Sequence, residues 1–159
     1  DRILYVCYDN EAYMNTGIQR SSLTPYGAAT TTSPAGKAGG AIGEKKFKKN
    51  LFEIMVAHRI PYCATASVAN IADLLGKVAK AKDTDGPSFL HIHAPCPTGW
   101  GFAADRTMEI ARLAVESGLW FLAEYQDGRV TLNYRPKEFI PVREYLKTQK
   151  RFRHLGPAE

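Results

Sequence analysis

Ile3-Leu4-Tyr5-Val6-Cys7-Tyr8-Asp9-Asn10 is an apolar and aromatic run that stops at two polar residues. A run of this kind reads as a central parallel strand, buried on both faces, with polar groups at its carboxyl end. Two later segments repeat the pattern: Tyr62-Cys63-Ala64-Thr65-Ala66 before Ser67, and residues 88–94 before Pro95-Cys96. Helical stretches lie between them. Asn50 is placed to cap a helix over 50–59, with Leu51, Ile54, Met55 and Ala57 as its apolar face. A second helix starts at Ser67 or Asn70 and carries Ile71, Leu74, Leu75 and Val78 at helical spacing. A third covers about 104–117, with Met108, Ile110, Ala111, Leu113 and Ala114 inward. Residues 120–125 and 130–134 predict a hairpin across Gln126-Asp127-Gly128-Arg129. A short helix follows over 142–147. The alternation implies an α/β class with a largely parallel sheet flanked by helices and a C-terminal β-hairpin. Ligands of such sheets bind at the carboxyl ends of strands. Here those ends are Asp9-Asn10, Ala66-Ser67 and Ala94-Pro95-Cys96.

The 159 residues suit one domain with a real core. No apolar run approaches the roughly 20 residues of a membrane helix, and Asp1-Arg2 opens no signal peptide. A cytoplasmic protein is expected. There is no initiator Met, and a strand reading as buried begins within two residues of Asp1. A parallel strand needs a crossover before it, so a missing N-terminal part of a longer protein is expected. The net charge of +5 fits an acidic partner, whether nucleic acid, anionic cofactor or acidic protein, and equally a basic surface with no partner. Cys7, Cys63 and Cys96 form no CxxC pair and no disulfide framework, which fits a reducing compartment.

The segment after the first strand carries the densest chemistry. Asn10 offers a side-chain oxygen, and a tight turn can aim the Ala12 carbonyl the same way. Mg²⁺ takes oxygen ligands in octahedral geometry, often shared with phosphates. Two such oxygens make part of a shell, and an ordinary polar turn is the competing reading. Glu11 points away from Asn10 if the stretch is extended. Residues 16–46, rich in Gly, Ser, Thr, Pro and Ala, form a long aperiodic stretch of the kind that is functional or disordered.

Asp9-Asn10-Glu11-Ala12-Tyr13-Met14-Asn15-Thr16-Gly17-Ile18-Gln19-Arg20-Ser21-Ser22 closely resembles the thiamine-diphosphate motif of the β subunits of 2-oxoacid:ferredoxin oxidoreductases, pyruvate synthases in particular. Thr24-Pro25-Tyr26-Gly27-Ala28, Thr30-Thr31-Thr32-Ser33-Pro34, Gly86-Pro87-Ser88-Phe89-Leu90, Ala94-Pro95-Cys96 and Tyr145-Leu146-Lys147 are similar to that family in the same order. The resemblance implies a thiamine-diphosphate-binding fold, with residues 1–159 its C-terminal portion and about 135–159 a subunit-contact tail. It implies that Asn10 (side chain) and Ala12 (carbonyl) ligate magnesium, and that Asn15 lies beside the thiazolium and substrate as the catalytic residue. Thr16, Gly17, Ile18 and Gln19 would line the diphosphate. The family's further metal carboxylate belongs to a Gly-Asp-Gly motif, which this chain lacks. The glutamate that activates the aminopyrimidine comes from another subunit or domain, so Glu11 is not given that role.

Cys96, between Pro95 and Pro97, is by itself most simply a small buried hydrophobe. The resemblance makes it one ligand of a [4Fe–4S] cluster, the other three preceding Asp1. Cys7 and Cys63 read as core residues. His91 and His93 face one side of their strand. Packing or hydrogen bonding explains them better than a zinc site with Cys96, because a third ligand at convincing spacing is missing. Lys45, Lys46, Lys48 and Lys49, after Gly36, Gly39, Gly40 and Gly43, are not a P-loop. They read as a solvated loop, or as steering for an acidic ferredoxin or coenzyme A. Arg151 and Arg153 read as braces of a subunit contact.

The activity implied is oxidative decarboxylation of pyruvate with coenzyme A to acetyl-CoA and CO₂. Electrons would pass through the cluster to ferredoxin, reversibly, with thiamine diphosphate and Mg²⁺. Partners would be α, γ and δ type subunits and the missing part of β. Another 2-oxoacid (2-oxoisovalerate, 2-oxoglutarate, oxalate) or an inactive structural fragment are the alternatives. A nucleic-acid binder rests on charge alone, since no recognised module is present.

Overall fold

The computed structural model describes residues 1–36 and 40–156. Gly39 of the glycine–lysine stretch and the end of the tail, 157–159, lie outside them. The strands are β1 (Leu4–Asp9), β2 (Ala35–Gly36), β3 (Ala41–Ile42), β4 (Tyr62–Ser67), β5 (Ser88–His93), β6 (Leu122–Gln126) and β7 (Arg129–Tyr134). The helices are α1 (Leu51–Ala57), α2 (Ile71–Asp83), α3 (Pro97–Trp100), α4 (Thr107–Glu116) and α5 (Val142–Leu146). The main sheet runs β1-β5-β4-β6-β7, while β2 and β3 form a separate antiparallel ribbon. β1, β5 and β4 are mutually parallel, and the β6–β7 hairpin extends the sheet antiparallel from β4. The expected class and hairpin are both present. At the hairpin turn Asp127 and Gly128 take φ 51° and 76°, the paired left-handed conformations of a type I′ turn.

β4 and β5 are buried along their whole length, as a doubly covered parallel strand requires. β1 departs from expectation. It lies at the rim of the sheet, paired only with β5 among the described residues, and Tyr5 and Tyr8 are 61% and 69% exposed. Among the described residues its apolar run gains cover beside β5, where Val6 and Cys7, on opposite faces, meet the two inner clusters.

The helices bury other residues than their sequence stripes suggest. Asn50 caps α1 by accepting from the Glu53 N–H at 3.2 Å, but the buried residue is Phe52, while Ile54 is exposed. On α2, Ile71, Leu75 and Val78 are exposed, and Leu74, Lys77 and Ala81 meet the sheet. A lysine turns inward because its ammonium is paid for twice, donating to Asp73 Oδ2 at 2.7 Å and the Thr65 carbonyl at 2.8 Å. The third helix begins with a 3₁₀ turn, Ala104–Arg106, before α4. Ile110, Ala111 and Ala114 are buried there as expected, joined by Val115, whereas Met108 is exposed. α3 is an element the sequence reading passed over, although Pro97 at its start and Gly101 in the left-handed conformation at its end are helix signals. No helix among the described residues is long and apolar enough to cross a membrane.

The long stretch after β1 is ordered by close backbone packing. Gly43 has φ 87°, and a Cβ there would sit 2.7 Å from the Ala28 carbonyl oxygen. The Gly43→Ala variant therefore combines a strained dihedral with a backbone clash, and should lose about 2–4 kcal/mol of unfolding free energy. Denaturant titration checks this, and an unchanged midpoint would contradict the packing described.

Candidate functional site

Register places Asp9 of β1, His93 of β5 and Ser67 of β4 side by side at the carboxyl end of the parallel strands. All three are buried. Asp9 Oδ2 lies 2.8 Å from His91 Nε2 and 2.6 Å from Lys48 Nζ. Lys48 also reaches Glu11 Oε1 at 2.7 Å, and Arg151 Nη2 reaches Glu11 Oε2 at 2.5 Å. One sequence expectation is corrected here. Lys48 does not belong to a solvated loop, because two buried carboxylates draw it inward and leave 22% of its side chain exposed. Arg151 is enclosed within the chain by Glu11 and by the Trp100 ring, 3.7 Å below its guanidinium.

Burial alone would raise both carboxyl pKa values. For Asp9 the hydrogen bond with His91 and the charge of Lys48 outweigh it and hold the carboxyl at about 2. For Glu11 the charges of Arg151 and Lys48 do the same, keeping it below the usual range. Burial opposes the charge of Lys48, but Glu11 and Asp9 raise its pKa overall. His93 goes the other way. Burial pushes it down to about 4, so its ring is neutral near pH 7. It stacks on Trp120 at 4.8 Å and lies 5.6 Å from Trp100, with Nδ1 buried and without a hydrogen-bond partner.

The chain leaves β1 through a turn gripped by this cluster. Glu11 holds the left-handed φ of 65°, which costs a residue with a Cβ about 1–3 kcal/mol. Its side chain turns into the protein, away from the outer side of the turn. The Glu11 N–H donates to Asp9 Oδ1 at 3.0 Å, and its carbonyl accepts from Thr24 Oγ1 at 2.6 Å. The Asn10 carbonyl accepts from Trp100 Nε1 at 2.8 Å. Two oxygens of the turn are left over. Asn10 Oδ1 has only a long 3.5 Å contact from the Ala12 N–H, and the Ala12 carbonyl accepts no hydrogen bond among the described residues. Two neutral oxygens, with both neighbouring carboxylates already paired, suit a hard cation whose anionic ligands come from elsewhere, such as a diphosphate.

The rest of the expected segment forms a closed loop. Tyr13 N–H donates to the Gln19 carbonyl at 2.9 Å, and Ile18 N–H to the Tyr13 carbonyl at 3.0 Å. Asn15 and Thr16 sit exposed on a 3₁₀ turn, Met14–Thr16, ended by Gly17 at φ 116°. Thr16 and Gln19 lock the loop reciprocally, the hydroxyl donating to Gln19 Oε1 at 2.6 Å and the amide to the Thr16 carbonyl at 2.5 Å. Residues 13–19 thus form a closed loop that directly follows the Asn10–Ala12 turn. A groove of about 1080 Å³ opens at Ile18, walled by Thr98–Gly101 and by Lys150 and Arg153.

Cys96 comes to the same neighbourhood. It is half-buried at the start of α3, its Sγ accepting the Gly99 N–H at 3.4 Å. Gly99 separates it from Met14: a Cβ there would stand 2.1 Å from Met14 Sδ and 3.5 Å from Cys96 Sγ. Cys63 is buried in the core as expected, and Cys7 is half-buried. Sequence reading missed Thr24, Lys48, Trp100 and Arg151 as parts of the site. Only Trp100 carried a local signal, the Pro97–Gly101 bracket of α3.

The chain belongs to the family described as thiamine pyrophosphate enzyme, C-terminal TPP binding domain, which matches residues 1–92. Within that family it is 60% identical over 153 residues to pyruvate synthase subunit PorB of Methanothermobacter thermautotrophicus, covering 96% of this chain and 52% of the relative. It is 54% identical over 154 residues to ketoisovalerate oxidoreductase subunit VorB of Pyrococcus abyssi, covering 96% and 49%. The chain thus spans about half the length of the curated relatives it matches. A solved 2-oxoglutarate:ferredoxin oxidoreductase from Magnetococcus marinus, with 2-oxoglutarate, coenzyme A and succinyl-CoA bound, shares the fold. Its TM-score is 0.54 at 24% identity, over 61% of this chain and 31% of that one.

The protonation states predict a two-step acid response. His93, depressed from 6.5 to about 4, favours the folded state fully above pH 6.5 and progressively less as pH falls toward 4. Asp9, depressed from 3.8 to about 2, adds a second loss as pH falls from about 4 toward 2. Thermal midpoints measured against pH should decline through both windows. The His93→Gln variant should flatten the upper window and keep the lower; equal slopes in both proteins would refute the assignment.

Proposed function

We propose that this chain supplies the magnesium-binding turn of a 2-oxoacid:ferredoxin oxidoreductase β-type subunit, with pyruvate as the 2-oxoacid. The observation that carries the reading is the Asn10–Ala12 turn, where among the described residues Asn10 Oδ1 has only a long 3.5 Å contact and the Ala12 carbonyl accepts no hydrogen bond, on a chain whose residues 1–92 match a thiamine pyrophosphate binding domain. Pyruvate is preferred because relatives at 54–60% identity are pyruvate synthase subunits. The ketoisovalerate relatives at 51–54% identity make a branched 2-oxoacid the second reading.

In this reading Asn10 and Ala12 hold Mg²⁺, and Thr16, Gly17, Ile18 and Gln19 line the diphosphate. Thiamine diphosphate, when bound, supplies the carbanion and electron sink. Asn15, exposed at the tip of the loop, donates its amide N–H to the oxygen on which charge develops. Cys96 gives one thiolate to a [4Fe–4S] cluster, its Sγ tuned by the Gly99 N–H, and three more thiolates come from outside this chain. Coenzyme A, ferredoxin and the companion α, γ and δ type subunits complete the reaction in the cytoplasm. Nucleic acid has no part in it.

The test uses the full-length subunit assembled with its partners. Pyruvate- and coenzyme A-dependent reduction of ferredoxin should be magnesium-dependent, with higher kcat/KM than for 2-oxoisovalerate. Asn15→Ala should lower kcat by about 10²–10³-fold with thiamine still bound. Cys96→Ala should reduce the visible iron–sulfur absorbance. A wild-type complex that is colourless and free of thiamine would sink the reading; preference for 2-oxoisovalerate would transfer it to the branched substrate.

A further inference from the structure

We infer that Glu11, clamped between Lys48 and Arg151, is a positioning residue for magnesium, setting the two oxygens that flank it. The inference rests on the reading that Asn10 and Ala12 are the ligands. Glu11 itself is not offered as one, because each of its carboxylate oxygens is held by a buried cation, Oε1 by Lys48 at 2.7 Å and Oε2 by Arg151 at 2.5 Å. Its contribution is geometric. An octahedral Mg²⁺ shell tolerates little error in ligand placement, and both expected ligands belong to a turn that a non-glycine residue would leave if released.

Four contacts prevent release, and they converge on residues 10 and 11. Lys48 bridges Asp9 and Glu11, so the last residue of β1 and the centre of the turn share one cation. Thr24 Oγ1 fixes the Glu11 carbonyl, and thereby the peptide plane leading to Ala12. Arg151 acts twice. It pairs with Glu11 and lies 3.7 Å over the Trp100 ring, whose indole N–H holds the Asn10 carbonyl at 2.8 Å. One guanidinium therefore braces the side chain of residue 11 and, through Trp100, the backbone of residue 10. Each polar group so engaged already has a strong partner, which leaves Asn10 Oδ1 and the Ala12 carbonyl as the least engaged oxygens of the turn among the described residues. A cluster serving stability alone would have no need to hold an αL glutamate between two asparagine-type and carbonyl oxygens left without strong partners.

The experiment compares Glu11→Gln, Arg151→Lys and Asn10→Ala in the full-length subunit with its partners. Thiamine diphosphate binding is followed by tryptophan fluorescence while Mg²⁺ is titrated, and the thermal midpoint of each metal-free protein is measured alongside. Glu11→Gln, nearly isosteric, should raise the Mg²⁺ concentration for half-saturation at least tenfold. Arg151→Lys, which keeps the charge but loses the fork and the ring stacking, should raise it by a smaller factor. Asn10→Ala tests the underlying reading: if it leaves the Mg²⁺ requirement unchanged, the ligand assignment fails. If Asn10→Ala raises the requirement and Glu11→Gln only lowers the metal-free midpoint, Glu11 is structural and the positioning role is overturned.

Discussion

Asp9 and Glu11 are two carboxylates buried within two residues of each other, and their mutual repulsion in a poorly solvated setting is the constraint around which this end of the sheet is arranged. Neither could remain ionised without a cation at hydrogen-bond distance, and the chain brings those cations from far away. Lys48 comes from the loop before α1, and Arg151 from the turn beyond α5. Removing one partner of such a buried set leaves an uncompensated charge, at a cost of about 3–5 kcal/mol. The loop from 12 to 49 and the tail after α5 are therefore held against the carboxyl end of the parallel strands by charge as well as by the apolar packing of Trp100, Trp120 and Tyr145.

That arrangement also separates labour within a short segment. Within the run 9–12, the Asp9 and Glu11 carboxylates turn to buried cations, whereas the Asn10 side chain has only a long contact and the Ala12 carbonyl accepts no hydrogen bond among the described residues. A negative cofactor can approach the outer side without meeting an unpaired carboxylate. The exposed cations Lys150 and Arg153 along the neighbouring groove make the approach electrostatically favourable.

What was legible beforehand followed from local rules. The parallel strands, the Asn50 cap and the Asp127-Gly128 hairpin are written in contiguous residues, and each is found where its pattern lies. Of residues 10–19, what was legible was their contiguity in the chain, not the distant side chains that grip them. What escaped was non-local. Lys48 is one of four lysines in five positions, and nothing in its own surroundings distinguishes the one that turns inward. The apolar run of β1 said that the strand was sticky, not which of its flanks would be covered. On α2 two stripes satisfied helical spacing, and the one containing a lysine won, because Asp73 and the Thr65 carbonyl were there to receive it.

The pairing of Glu11 with Arg151 joins residues 140 positions apart. Closing so wide a separation carries an entropic toll that local contacts avoid, and contacts of this kind mature late in folding. The turn at Asn10 can draw its β1 geometry from an early pairing with β5, but its left-handed centre is secured only after the segment beyond α5 has come home. Order at this turn is thus a report on a distant segment: a polypeptide cut before Arg151 would lose the clasp.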